Sequence, residues 1–142
     1  MNLSTGTGEA LPTLNEAGKI IDGQTQLVGV MGWPIAHSLS PAMHNAAFNA
    51  LGMNWCYVPL PVHPTQVAAA IAGLRALGFR GCNVTVPHKE AVLPYIDRLP
   101  PHVARFGAAN TLILHRDERQ AHTFHAALLH PYPAFFVVQA EP

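Results

Sequence analysis

Apolar residues fall in short runs broken by glycine, proline and polar clusters, and the spacing inside the runs switches between that of a strand and that of a helix. Residues 27–31, LVGVM, are continuously apolar and bounded by Gly32, Trp33 and Pro34, which predicts a strand buried on both faces. In the next segment Ser40 is suited to cap a helix and Pro41 to fill its first position, so a helix is predicted to Leu51 with Gly52 as its stop. Residues 54–60, NWCYVPL, predict a second strand, ended by Pro59 and Pro61. Between Pro64 and Leu77 the residues Val67, Ala70, Ile71, Leu74 and Leu77 keep helical spacing, and Gly78 closes that helix.

The stretch 81–90, GCNVTVPHKE, organises the rest. Val84 and Val86 alternate with Asn83 and Thr85, predicting a strand with one face buried and one face polar. Pro87 suits a first helical turn, so a helix is predicted from about His88 to Asp97, followed by a break at Pro100-Pro101. After Gly107, residues 109–114 read as a further strand. The alternation predicts an α/β fold: a three-layer, mostly parallel sheet with helices on both faces and right-handed crossovers. Residues 1–26 lack periodicity and read as a flexible N-terminal extension, residues 27–114 as the folded domain, and residues 115–142 as a divergent tail, disordered or out of frame.

Composition narrows the partners. The 142 residues carry 11% charged side chains, well below the usual fraction of about 25%, and a formal net charge of zero. Such a balance offers no electrostatic footprint for nucleic acid or an anionic membrane, and no run is long enough to span a bilayer. A small-molecule ligand, a cytoplasmic location and room for a homodimer are the expectations. Cys56 and Cys82 lie in apolar strand text without metal or redox spacing, and read as buried thiols.

Candidate chemistry gathers where an open sheet binds ligands, beyond the carboxyl ends of its strands. Ser38 and Ser40 follow the first strand, Asn83, Thr85 and Lys89 straddle the end of the third, and Asn110 with Thr111 opens the fourth. Hydroxyls, amides and one ammonium suit a polyhydroxylated ring bearing a carboxylate. Only Lys19 and Lys89 are lysines. At a helix start, Lys89 would feel the positive end of the helix dipole, which favours its neutral, proton-accepting form. The competing account of the same residues is routine capping of helix and strand ends.

Taken together, G-x-P-I-x-H-S-x-S-P (Gly32 to Pro41), N-V-T-V-P-x-K (Asn83 to Lys89) and A-N-T (Ala109 to Thr111) resemble the substrate-binding domain of the shikimate dehydrogenase family in order and spacing. The resemblance implies NADP-dependent, reversible reduction of 3-dehydroshikimate to shikimate. It implies that Ser38 and Ser40 hold the substrate carboxylate, that Asn83, Thr85 and Asn110 bond the ring oxygens, and that Lys89 is catalytic. Ser40 leans the family's shikimate–quinate choice toward shikimate.

Two departures from the family pattern stand out. The family's N-T-D-G motif, whose aspartate partners the lysine, has no counterpart; the nearest acids are Asp117 and Glu118. Nor is there a glycine-rich dinucleotide turn: Gly6 and Gly8 are followed by Leu11, and no glycine follows Gly107. NADP is therefore expected to bind a domain outside this chain, with the isolated chain inactive and its coding sequence truncated or frame-shifted. The alternatives are a non-catalytic shikimate-binding module and an interaction protein using a bare sheet edge. His122 and His125 have a spacing that would share a helical face, but no third ligand joins them, and no metal is expected.

Overall fold

The computed structural model describes residues 13–14, 20–116 and 122–127. Near the start, β1 (Thr13–Leu14) pairs antiparallel with β2 (Ile20–Ile21). The turn that follows is tied down: the Asp22 carboxylate accepts from Asn54 Nδ2 at 3.0 Å and from the Gln24 N–H at 2.9 Å. These bonds, that from Asn54 foremost, hold its carboxyl below the usual range. Residues 20–26, expected within the N-terminal extension, therefore find partners of their own. The remainder of 1–26, apart from 13–14, lies outside the described residues.

The domain proper runs β3 (Gln26–Gly32), α1 (Ser40–Ala50), β4 (Trp55–Pro61), α2 (Val67–Ala76), β5 (Gly81–Val84), α3 (Pro101–Phe106), β6 (Thr111–Arg116) and β7 (His122–Ala127). The sheet order is β4-β3-β5-β6-β7. The first three are mutually parallel, while β6 and β7 join antiparallel. The short connection from Arg116 to His122 cannot accommodate the crossover that parallel pairing needs.

The predicted layering follows from the period of β3. Val28 and Val30 face one side, where Ile35, Phe48 of α1 and Tyr57 of β4 complete a core. Met31 faces the other, with Val67, Ile71 and Leu74 of α2, Val84, Val103 of α3 and Leu112. Helices thus cover both faces. The predicted stops at Gly52 and Gly78 hold: both are left-handed, with φ of 64° and 72°. Beyond them Met53 N–H donates to Phe48 O at 2.9 Å and Phe79 N–H to Leu74 O at 3.0 Å, satisfying carbonyls the helices leave open.

Four local expectations change. Helix α1 begins at Ser40 itself, with Leu39 as N-cap. Ser38 Oγ accepts from the Ser40 N–H at 3.3 Å, so the serine expected to cap is relieved of that task. Strand β5 ends at Val84, and Val86, expected inside, is exposed on the turn beyond it. No α-helix starts at His88; the chain passes through turns to a single 3-10 turn at Leu93–Tyr95. Pro87 and Pro94 bracket this segment closely, and the residue before a proline resists helical angles, so the cost of nucleating a helix is not recovered. Conversely Pro101, read as a break, opens α3, and Gly107 at φ 67° closes it.

In the tail, His122 and His125 lie on β7. A strand has a period of two, which removes the helical reason for pairing residues three apart. Residues 117–121 and 128–142 lie outside the described residues.

Candidate binding site

Adjacent parallel strands β3 and β5 send their chains to opposite faces of the sheet. The loop after β3 leads to α1, and the segment after β5 contributes Val92 and Val103 to the core shared with α2. This divergence opens the crevice in which such sheets bind ligands. The two exits are laced together, with Thr85 N–H donating to Met31 O at 2.9 Å and Trp33 N–H to Val86 O at 3.2 Å. Their approach depends on Gly32, where a Cβ would stand 2.6 Å from Thr85 Cγ2.

A polar row crosses the sheet on its α1 side. Register sets Asn83 beside Val30 and opposite Thr111, and the alternation that buries Cys82 and Val84 turns Asn83 the other way. Tyr57, on β4, reaches past β3: its Oη donates to Asn83 Oδ1 at 2.7 Å. Asn83 Nδ2 donates to Thr111 Oγ1 at 3.1 Å, and Thr111 Oγ1 donates to Asn110 Oδ1 at 3.2 Å. Beside this row, Ser40 acts on the Tyr57 phenol and draws its titration down against burial. Asn83 and Asn110, two of the residues singled out in the sequence, therefore belong to one connected network, with Ser40 near its Tyr57 end. Tyr57 is the member that sequence reasoning missed; Thr111 was read with Asn110 at the opening of the fourth strand but given no role of its own. Tyr57 carried the signal of a polar-tipped aromatic in a strand otherwise fit for the core.

Tyr57 is 1% exposed, and burial first, with Cys82 second, raises its phenol above the ordinary range, keeping it a donor. Cys82 and Cys56 are buried free thiols, as expected, and burial pushes Cys82 up to about 12. Ser38 is half-buried and adjoins Ser40 through its contact with the Ser40 N–H.

Lys89 stands apart from this network. Its side chain is exposed, and it lines a shallow open depression with Val86, Pro87, Glu90 and Ala91. Without a helix at His88, the helix-dipole argument for a proton-accepting lysine no longer applies. What fixes Lys89 is backbone and neighbour. Its carbonyl accepts from Ala109 N–H at 2.8 Å, next to Asn110. The adjoining His88, 1% exposed, sets Nε2 2.6 Å from Val62 O, and Val62 N–H donates to Gly32 O at 3.1 Å. The turn bearing Lys89 is thus anchored to the ends of β3 and β4.

The described residues do not fit a dinucleotide. A pyrophosphate requires glycines where the backbone meets it, at the start of a helix, whereas the exits of β3 and β5 carry Pro34 and Pro87 beside exposed Trp33 and Val86. Among them no group of three or more His, Cys, Asp or Glu could hold a metal ion.

Comparison with known proteins accords with this geometry. The family described as shikimate dehydrogenase substrate binding domain matches residues 30–112. The shikimate dehydrogenase (NADP(+)) of Synechococcus sp. (strain JA-2-3B'a(2-13)) is 60% identical over 92 residues, 65% of this chain and 32% of that protein. That of Methanothermobacter thermautotrophicus is 60% identical over 93 residues, 66% of this chain and 33% of that protein. Among solved structures, shikimate 5-dehydrogenase from Listeria monocytogenes in complex with shikimate and NAD superposes with a TM-score of 0.66 at 38% identity, covering 73% of this chain and 35% of that one. The chain thus spans about a third of the length of the relatives it matches. With the family profile covering more than half of its residues on the elements that form the crevice, the chain belongs to the shikimate dehydrogenase substrate-binding-domain family.

Proposed function

We propose that this chain is the substrate-binding part of a shikimate dehydrogenase and holds shikimate or 3-dehydroshikimate in the crevice between β3 and β5. The observation that carries the reading is the network from Tyr57 through Asn83 and Thr111 to Asn110, with Ser40 acting on its Tyr57 end, which gathers near the carboxyl ends of β3 and β5 the kinds of donors and acceptors a hydroxylated ring acid requires. In this reading Ser38 and Ser40 donate to the ligand carboxylate, now that Ser40 is not needed as a cap. Asn83, Thr85 and Asn110 bond the ring oxygens. Lys89, long enough to swing over the crevice from its anchored turn, exchanges a proton with the ring oxygen at the carbon that is oxidised or reduced.

The coenzyme of the complete reaction is NADP, as in the names of the relatives, and supplies hydride when bound. Because the described residues do not fit it, it belongs to a domain outside them, and this chain contributes binding, orientation and a proton. The chain works in the cytoplasm, with a small molecule rather than nucleic acid as its partner and with room for a homodimer. No described helix is long and apolar enough to cross a membrane.

Isothermal titration of the 142-residue chain with shikimate, with and without NADP+, tests the reading. Saturable heat that is indifferent to NADP+, without NADPH formation, is the expected result. Absence of saturable binding at millimolar shikimate would overturn it.

A further inference from the structure

The polar row has a direction. Tyr57 lies between the Ser40 hydroxyl and the Asn83 amide, and its Oη donates to Asn83 Oδ1 at 2.7 Å. The carbonyl end of that amide is therefore occupied from the β4 side. The nitrogen end faces β6 and donates one proton to Thr111 Oγ1 at 3.1 Å, while the Thr111 hydroxyl spends its own proton on Asn110 Oδ1 at 3.2 Å. The Thr111 hydroxyl that receives a proton passes one on, so reversing the Asn83 amide would take away the acceptor of the Tyr57 proton and set Oδ1 against a Thr111 oxygen whose proton goes to Asn110. The second proton on Asn83 Nδ2 has no acceptor in the protein among the described residues, and the side chain is half-buried rather than sealed.

We infer that Tyr57 is a positioning residue that sets the polarity of this row, so that Asn83 offers a ligand an N–H and not its carbonyl oxygen. This rests on the reading proposed above and deepens it, because it assigns a preference. A ring carbonyl can only accept, whereas a ring hydroxyl can accept or donate. A site whose amide is locked as donor serves the carbonyl form, 3-dehydroshikimate, as well as the hydroxyl form. A site whose amide turns freely keeps the hydroxyl form but loses part of its hold on the carbonyl form.

The lock itself is unusually firm for a side chain on an edge strand. Asn45 grips the Tyr57 backbone through both its N–H and its carbonyl, at 2.8 and 2.9 Å. His44 stacks on the phenol ring with centroids 4.3 Å apart and planes 13° apart. Tyr57 cannot swing away from Asn83 without unstacking from α1.

Two measurements on the full chain test the inference. In the unliganded wild type, NMR should show nuclear Overhauser contacts from the Asn83 side-chain amide protons to the Thr111 methyl group and none to the Tyr57 ring. Contacts to the Tyr57 ring would place the amide the other way round and overturn the inference, whether or not the chain binds shikimate. In Tyr57→Phe, which keeps the ring and its stacking, 3-dehydroshikimate should lose about tenfold more affinity than shikimate, the worth of one hydrogen bond. Equal losses for both ligands would reduce Tyr57 to a structural role and overturn the inference as well. Should Tyr57→Phe fail to fold, or the wild type bind neither ligand, the wild-type amide contacts still decide the polarity of the row, and only the functional reading falls with the lost binding.

Discussion

The Asn45 side chain closes both backbone hydrogen bonds of Tyr57: Nδ2 donates to the Tyr57 carbonyl at 2.9 Å, and Oδ1 accepts from the Tyr57 N–H at 2.8 Å. Strand β4 is an edge of the sheet, and these groups would otherwise stand open to another chain. Removing the amide by Asn45→Ala leaves two buried backbone groups unsatisfied, and the expected loss is about 2–4 kcal/mol. Urea denaturation measures it. A change below about 0.5 kcal/mol, the range of an ordinary surface substitution, would show that water replaces the amide without penalty.

His44, beside Asn45 on α1, titrates below its ordinary value of 6.5 because burial disfavours the charged ring. The unfolded chain therefore takes up the proton first as pH falls. The contribution of His44 to stability is complete above its unfolded value and is lost as pH drops through the folded one. The urea midpoint should fall between about pH 7.5 and about pH 5.5, and His44→Phe, which preserves an aromatic face against Tyr57, should flatten that dependence. An unchanged slope in the variant would assign the pH effect to other groups.

Gly32 sets how closely the exits of β3 and β5 approach, since its Cβ would meet Thr85 Cγ2 at 2.6 Å and Ile35 Cδ1 at 3.0 Å. Gly32→Ala should cost about 1–3 kcal/mol of stability and abolish measurable shikimate binding by parting the two loops. Gly73→Ala provides the contrast. Nothing lies within 4 Å of the added carbon in the middle of α2, so it should raise the urea midpoint by a gain of about 0.4–1 kcal/mol and leave binding alone.

Lys89 is exposed on its turn. Lys89→Ala should alter stability by no more than about 0.5 kcal/mol, while weakening shikimate binding in calorimetry. Intact affinity in a folded variant would remove Lys89 from the binding surface.

Much of the fold could be read from local pattern. Gly52 and Gly78 stopped their helices because only a residue at ease with positive φ allows the closing bonds beyond each helix. The residues 81–85 showed their two faces by alternation alone, and burial of Cys82 and Val84 with Asn83 turned away follows that reading. The misjudged places each contain proline: Pro87 and Pro94 prevented the helix predicted after β5, and Pro101 began one where a break was expected. A single proline is compatible with a helix start, a turn or a break, and its meaning depends on what the following residues can pack against.

The residues by themselves determined strands β3 to β6, helices α1 and α2, and which side of each would be apolar, because those properties repeat over a few neighbours along the chain. Tertiary structure alone decided that Tyr57 would reach past β3 to Asn83 and that Asn45 would seal the edge of β4. Those relationships join residues whose proximity comes from strand order and register, and a hydrogen bond between side chains 26 positions apart leaves no period in the sequence.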